Sequence, residues 1–373
     1  MKSKRITLSI AALCIAILAA SCTTPPPSPS DVGAALRRDR DRDLPAPDRQ
    51  PLASTSYGKW KKSYLLTNAT LRVAIVPAVG RITQIGYGAE TNLLRNDPAL
   101  NGKRPRPDTR WMNVGGDWLW PVGQAHWPAI TNPGGPGAPR AGSSVAQGPG
   151  ALWPPPLPMG DAPWDAQAWR NADGSQSCLL IRKYGEPLNL VVTRLITIDA
   201  VAPRIRILQR ALRVGYSDIP VTLWNVSQCG GAERIFFPCN AGTRNKSFHL
   251  NFSKPAKSQI AVHKGVVIFD AAQGGEVKIG SNATNVWIAA QRGNVAILER
   301  AETSASGPLP DGCTIELYSN GGLGYSEIET LTPEVLLQPG ESLENTLNIL
   351  CLPLASTLTA AEAATKLREL SGL

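Results

Sequence analysis

Between residues 178 and 226 the chain reads as four apolar runs, at 178–184, 188–198, 204–214 and 220–226, punctuated by GEP, DAVAP and GYSDIP. Short runs spaced about ten residues apart and broken by Gly and Pro are the pattern of an antiparallel sandwich. The rhythm continues at 258–262, 266–270, 276–280, 286–290 and 295–300, with Gly and Asn at the turns. Earlier, YLLTNATLRVAIV (64–76) turns at Asn68-Ala69 into two short strands, and RITQIGY (81–87) adds a third. In 204–214 apolar and polar residues alternate only roughly, which predicts cover on both faces and a second layer of sheet. Strands at 314–319, at the segment bearing Glu327 and Glu329, and after LQPGES (337–342) close the series. Residues 359–370 then read as a short helix, with Thr359 as N-cap and Glu362 completing a capping box.

One region breaks the rhythm. Seven of the ten tryptophans lie between Trp111 and Trp169, in phrases such as WMNVGGDWLWPVGQAHWP (111–128) and WPPP (153–156). Neither strand nor helical periodicity accounts for their spacing, so the region reads as a long ordered loop system. Indoles beside hydrogen-bonding groups suit a ligand with apolar and polar faces, and a sugar ring is one. The same residues can instead form a satellite core, with their N–H groups bonded to backbone.

The chain opens with Lys2, Lys4 and Arg5 followed by an apolar run from Ile6 to Ala20, too short for a membrane span and typical of an export signal. Leu18-Ala19-Ala20-Ser21-Cys22 resembles the lipobox of bacterial lipoproteins. That resemblance implies a signal peptide over 1–21 and a diacylglycerol on Cys22. Thr23 in place of Asp implies sorting to the outer membrane, facing periplasm or exterior. Residues 22–53, rich in Pro and in alternating Arg and Asp, form a tether with almost nothing apolar to bury. A single domain is expected over 54–373, large enough for an ample core.

The formal net charge is +9, and loss of the three cations of the leader leaves +6. These charges are scattered without aromatic interleaving, so they indicate solubility and not a nucleic-acid partner. Five cysteines follow Cys22: Cys178, Cys229, Cys239, Cys313 and Cys351. An odd number leaves at least one free thiol, and Cys229 with Cys239 is the pairing their turn-rich separation favours. No Cys or His spacing supports a metal, and no motif calls for a cofactor. There is no G-x-S-x-G, P-loop or HExxH.

The phrase P-x-x-G-R-I (Pro77, Gly80, Arg81, Ile82) followed by N-L-L (Asn92–Leu94), the strand IPVTLWNVSQ (219–228) and the closing L-x-P-G-E-S are similar to segments of galactose mutarotase and the aldose epimerase superfamily. GGDWLWP (115–121) and YSEIETLTP (325–333) are, more narrowly, similar to a bacterial lipoprotein family of that fold with no assigned function. The resemblance implies an all-β, galactose-mutarotase-like β-supersandwich, mostly antiparallel, with long Trp/Pro/Gly-rich loops and a short C-terminal helix. Relatives with epimerase activity use a Glu on a late strand and a His after a middle strand. Glu327 or Glu329 matches the glutamate, and their two-residue spacing puts both on one strand face with Tyr325. The histidine is missing, since Trp224-Asn225-Val226-Ser227-Gln228 stands there. His126 is the candidate acid in its place, while His249 and His263 read as surface residues.

The first reading is therefore a lipid-anchored envelope protein that binds a mono- or oligosaccharide. Trp111, Trp120 and Trp127 would stack on the sugar, and Arg81, Asn113, Asp117, Gln124, Trp224, Asn225 and Gln228 would line the site with Glu327 or Glu329. The second is a sugar-active enzyme, epimerase-like or a lyase or hydrolase, with Glu327 or Glu329 as base, His126 as acid and Asp117 as a further carboxyl. A third is a structural lipoprotein whose aromatic loops meet a protein partner.

Overall fold

The computed structural model describes residues 49–103, 111–131, 153–240, 249–252 and 255–372. The leader, Cys22 and the tether up to residue 48 lie outside the described residues. Within them the strands are β1 (Gln50–Pro51), β2 (Thr55–Tyr57), β3 (Trp60–Thr67), β4 (Leu71–Val76), β5 (Arg81–Tyr87), β6 (Asp117–Trp120), β7 (Asp165–Arg170), β8 (Gln176–Tyr184), β9 (Leu190–Ile198), β10 (Arg204–Arg213), β11 (Trp224–Gly230), β12 (Arg234–Pro238), β13 (His249–Phe252), β14 (Ile260–His263), β15 (Val266–Asp270), β16 (Glu276–Ser281), β17 (Trp287–Arg292), β18 (Val295–Glu302), β19 (Ile315–Asn320), β20 (Tyr325–Leu331) and β21 (Ser342–Pro353). Two short α-helices join them, α1 (Trp127–Thr131) and α2 (Ala360–Leu370). The strands build an eleven-stranded sheet, β1-β7-β8-β9-β10-β21-β18-β17-β12-β15-β14, and a ten-stranded sheet, β13-β16-β19-β20-β11-β6-β5-β4-β3-β2. Consecutive hairpins make the pairing antiparallel.

The two sheets bury their facing side chains against each other. Ile205, Ile207 and Ala211 of β10 point inward while Arg204 and Arg206 of the same strand stay exposed. The alternation in β10 is thus cleaner than its sequence suggested: the second sheet covers one face and solvent the other. Helix α2 covers part of the outer face of the eleven-stranded sheet, packing Ala363, Ala364 and Leu367 on Phe236, Trp287 and Leu298. Its start is the expected capping box, in which Thr359 Oγ1 accepts from the Glu362 N–H and Glu362 Oε2 accepts from the Thr359 N–H.

Three expectations are corrected. Gln50 and Pro51, assigned to the tether, pair with Arg170 and Trp169 at the sheet edge, so the sheets begin ahead of residue 54. The tryptophan region is not all loop: Asp117–Trp120 is a strand inside the ten-stranded sheet, and Asp165–Arg170 is a strand of the other. β6 is buried on both faces, which removes the alternation that would have marked it. Gly116, at φ +86°, leads into it, and a Cβ there would lie 2.3 Å from the Ile82 carbonyl oxygen. Cys229 is a free, buried thiol, so the pairing with Cys239 does not form; Cys178, Cys313 and Cys351 are likewise buried free thiols.

Polar side chains interrupt the core where the sheets face each other. Gln209 stands between Arg194 and Asn345 in register on one sheet, and Ser227 opposes Asp117 on the other. Across the gap Arg194 Nη2 meets Asp117 Oδ1 at 2.5 Å, while Asn225 Nδ2 donates to Asp117 Oδ2 at 2.8 Å. Gln209 Nε2 donates to Asn225 Oδ1 and Asn345 Nδ2 to Gln209 Oε1. Ser227 Oγ lies 3.0 Å from Asp117 Oδ2 and 2.5 Å from Glu299 Oε1. One hydroxyl proton cannot serve two carboxylates. Burial, reinforced by the negative charge of Asp117, pushes Glu299 up to about 8. At neutral pH Glu299 therefore carries a proton and donates it to Ser227, whose own proton goes to Asp117.

This proton makes stability depend on pH. The folded Glu299 holds it above the ordinary carboxyl range, so its contribution is complete below about pH 4.5 and is lost as pH rises to about 8. Glu299→Gln keeps a donor toward Ser227 and removes the titration. We expect denaturant unfolding to show the natural protein losing on the order of a few kcal/mol over that window, and the variant following a flatter profile with the greater stability at pH 8. Equal slopes for the two proteins would refute this assignment.

Candidate functional site

The face of the ten-stranded sheet turned away from the second sheet gathers the remaining chemistry. Register alone places it there: Trp224 opposes Trp120, Val226 opposes Trp118 and Glu329, and Gln228 opposes Glu327. Next along the sheet Glu316 opposes Glu329, and Tyr318 opposes both Glu327 and Lys278. Directly opposed residues share a face, so all of these point the same way.

One part of this face is closed. Lys278 Nζ lies 2.7 Å from Glu316 Oε2 and 3.4 Å from Glu329 Oε2, and sits 4.9 Å from the centre of the Trp224 ring. Trp224 Nε1 donates to Glu329 Oε2 at 2.7 Å. Burial by itself would lower the lysine pKa, but the Glu316 and Glu329 carboxylates outweigh it and hold Lys278 as a cation. Burial raises Glu329, against the opposing pull of Lys278.

The adjoining part is open. Glu327, Arg95 and Asn113 are each partly exposed. Gln228 Nε2 donates to Glu327 Oε1 at 2.6 Å, and Arg95 Nη1 donates to Gln228 Oε1 and to the Asn113 side-chain and backbone oxygens. The Arg95 guanidinium also lies 5.0 Å from the Tyr325 ring centre, and Asn113 Nδ2 donates to the Tyr325 hydroxyl. Desolvation by its surroundings raises Glu327, while Gln228, Lys278, Arg81 and Arg95 oppose the shift.

Beside the carboxylates lies the aromatic cluster. Trp118, Trp120, Trp127 and Trp224 are buried, with ring centres as close as 4.8 Å. Trp120 Nε1 donates to the Met159 carbonyl and Trp127 Nε1 to the Val122 carbonyl, which is the satellite-core arrangement. Trp111 is partly exposed and Trp153, 5.5 Å away in an edge-on contact, is 51% exposed. Arg81 is buried, with its guanidinium 4.0 Å from the Trp118 ring centre and its Nε and Nη2 on Asp161 Oδ1.

The structure therefore sorts the expected site residues. Glu327, Glu329 and Gln228 share a face, with Trp111, Asn113 and Arg81 near them. Asp117 and Asn225 do not belong: they point between the sheets, fully buried, because they hold the intersheet network. Trp120, Trp127 and Trp224 are too deeply packed to stack on a ligand. His126 Nε2 contacts Glu334 Oε1 at 3.1 Å, not Glu327 or Glu329, and Gln124 lies on the same short turn. Lys278, Glu316, Arg95 and Asp161 were missed. In EVKIGS and TIELYS a charged residue between two apolar ones reads as a solvated strand face. Arg95 directly follows the N-L-L phrase, and that adjacency was a usable signal.

No family model matches this chain, and no curated protein matches it in sequence. Solved structures do match in shape. The Slr1438 protein from Synechocystis sp. PCC 6803 superposes with a TM-score of 0.54 at 13% identity, covering 81% of this chain and 100% of that one. A galactose mutarotase-like protein from Clostridium acetobutylicum superposes with a TM-score of 0.50 at 9% identity, covering 83% of this chain and 100% of its own. The fold is the galactose-mutarotase-like β-supersandwich, as the sequence resemblance implied.

The closed triad sets a stability test. Lys278→Met leaves two buried carboxylates without their cation, and we expect it to cost about 3–5 kcal/mol. Adding Glu316→Gln to that variant should restore part of the loss. Urea unfolding of the single and double variants measures both, and a single variant as stable as the natural protein would rule out the ion pair.

Proposed function

We propose that this domain binds carbohydrate on the outer face of its ten-stranded sheet and does no chemistry on it. The observation that carries the reading is the partly exposed trio of Glu327, Arg95 and Asn113, held in place by the buried Gln228 and Tyr325, beside the exposed edge of the aromatic cluster. A carboxylate, an amide and a guanidinium supply donors and acceptors for sugar hydroxyls, and Trp111 with Trp153 supplies an apolar wall. The name of the Clostridium acetobutylicum neighbour is consistent with a sugar ligand.

Catalysis is disfavoured by what surrounds Glu327. Epimerisation requires a proton donor as well as a base. Glu329 is engaged by Trp224 and Lys278, Lys278 is held as a cation by two carboxylates, Gln228 has no proton to transfer, and burial pushes the Tyr325 phenol up to about 12, which makes it a poor acid. The second reading, a sugar-active enzyme with Glu327 as base, is favoured by one observation: burial raises the pKa of a carboxyl that remains partly exposed. A protein partner at the aromatic loops has less support, because Trp118, Trp120 and Trp127 are turned into the core.

Tryptophan fluorescence of the full-length protein, titrated with mono- and oligosaccharides, tests the binding reading, and NMR of the best binder tests for anomeric exchange. We expect saturable quenching, no faster exchange, and roughly tenfold weaker binding by Glu327→Gln, the scale of a hydrogen bond to a charged group. Faster exchange that disappears in Glu327→Gln would establish the enzyme instead. Silence toward every sugar would refute both.

We further propose that the chain is anchored in the bacterial envelope, at the outer membrane, through lipid on Cys22. The support is the leader followed by Leu18-Ala19-Ala20-Ser21-Cys22. Cells fed labelled palmitate should label the natural protein and not Cys22→Ala, which should also leave the membrane fraction. Label retained by Cys22→Ala would disprove lipidation at that residue.

A further inference from the structure

Next to the open array, a small cavity is lined by Gly80, Arg81, Trp111, Trp118, Trp120, Asp161 and Trp164, among others, with room for about one water-sized group. Trp111, Gly160 and Arg182 of its lining are partly exposed, so it reaches the surface on their side. Trp164 closes against Gly80, where a Cβ would come within 2.1 Å of the indole and where φ is +65°. This is the glycine of the P-x-x-G-R-I phrase, and any other residue there would displace a wall of the cavity.

Two of the lining side chains, Trp118 and Asp161, are more than nine-tenths buried. Among the described residues Trp118 Nε1 has no acceptor, while the Asp161 carboxylate takes Nε and Nη2 of Arg81 on Oδ1 and a backbone N–H from Met112, which leaves it acceptor capacity to spare. A buried donor left unpaired in this way is costly, and a native site has a reason for it. One donor and one acceptor around space for one oxygen match a hydroxyl, which accepts from the indole and donates to the carboxylate. A methyl would satisfy neither atom. A carboxylate would be repelled by Asp161, and an ammonium would face the indole N–H with no lone pair to offer.

We propose that this cavity is the subsite for the primary hydroxyl of the bound sugar. It deepens the carbohydrate reading and rests on it. A pyranose ring is too large for the cavity, and a ring hydroxyl stands only one bond from the ring; the exocyclic hydroxymethyl arm carries its oxygen one bond further and can enter alone. Arg81 ties the two parts of the site together. It holds Asp161 in place, stacks on Trp118 and Trp111, and lies within electrostatic reach of Glu327. The ring would then lie across Trp111, with its remaining hydroxyls toward Glu327, Gln228 and Arg95.

The test is calorimetric titration of the full-length protein with D-galactose, D-glucose and D-mannose, each beside its 6-deoxy form. The expected result is that every sugar that binds loses about tenfold or more in affinity on losing the primary hydroxyl, since the Trp118 N–H is then left unpaired and Asp161 loses a donor. Trp118→Phe removes the N–H and should shrink that ratio while the 6-deoxy sugars bind as before. If this variant does not fold, a crystal structure of the natural protein with the tightest of these sugars decides the matter: the primary hydroxyl oxygen should occupy the cavity. Equal affinities within each pair, or an ordered water that stays in the cavity beside the bound sugar, would overturn the subsite and leave the carbohydrate reading standing. No binding by any of these hexoses would overturn the subsite, and the carbohydrate reading falls with it only if the oligosaccharides are silent as well.

Discussion

Strand β11 is held from within. Its Asn225 and Ser227 are fastened to Asp117, and Asp117 to Arg194 of the opposite sheet, in surroundings where an unmatched charge is costly. That attachment sets which side of β11 is which. A slip of one residue would turn Trp224, Val226 and Gln228 into the core and bring Asn225 and Ser227 out. The facing positions on β20 follow, because Gln228 pairs with Glu327 and Val226 with Glu329. The candidate site therefore owes its composition to polar contacts on the far side of the sheet.

Much of the architecture was legible because the strands obey simple local rules. RITQIGY at 81–87 is a strand over those same residues, and the Thr359 capping box starts the last helix where expected. The mutarotase-like resemblance, carried by a few turn phrases, led to the right fold. What stayed hidden depends on partners far away in sequence. Asp117 and Asn225 looked like ligand contacts because polar residues beside tryptophans suggest a surface, and only the second sheet reveals them as interior. Lys278 and Glu316 looked ordinary for the opposite reason: a strand charge reads as solvated until register places Glu329 beside it. Half of the site, Glu327 with Gln228, could be anticipated from the resemblance, which implies a glutamate on a late strand and a site residue after a middle one; the ion triad and the Arg81–Asp161 pair could not.

The face holding the site divides rigid from accessible chemistry. Trp224 binds Glu329 through its N–H and lies beneath Lys278, so the triad is locked by a ring as well as by charge. Glu327, two residues along the same strand, has among the described residues only an amide as its hydrogen-bond partner. A difference of two residues thus separates a carboxylate that serves the fold from one free to meet a ligand, and the indole wall beside them is built the same way, with Trp120 and Trp127 packed and Trp111 and Trp153 at the rim.

The cysteines carry a consequence of a different kind. Burial pushes the thiol of Cys351 up to about 12 and those of Cys178, Cys229 and Cys313 upward as well, so none presents the thiolate that exchange or oxidation requires. They behave as small apolar side chains of the core. These four thiols form no cross-link, so the strands that carry them are joined by packing and charge pairing, and an agent that reduces disulfides has nothing among them to act on.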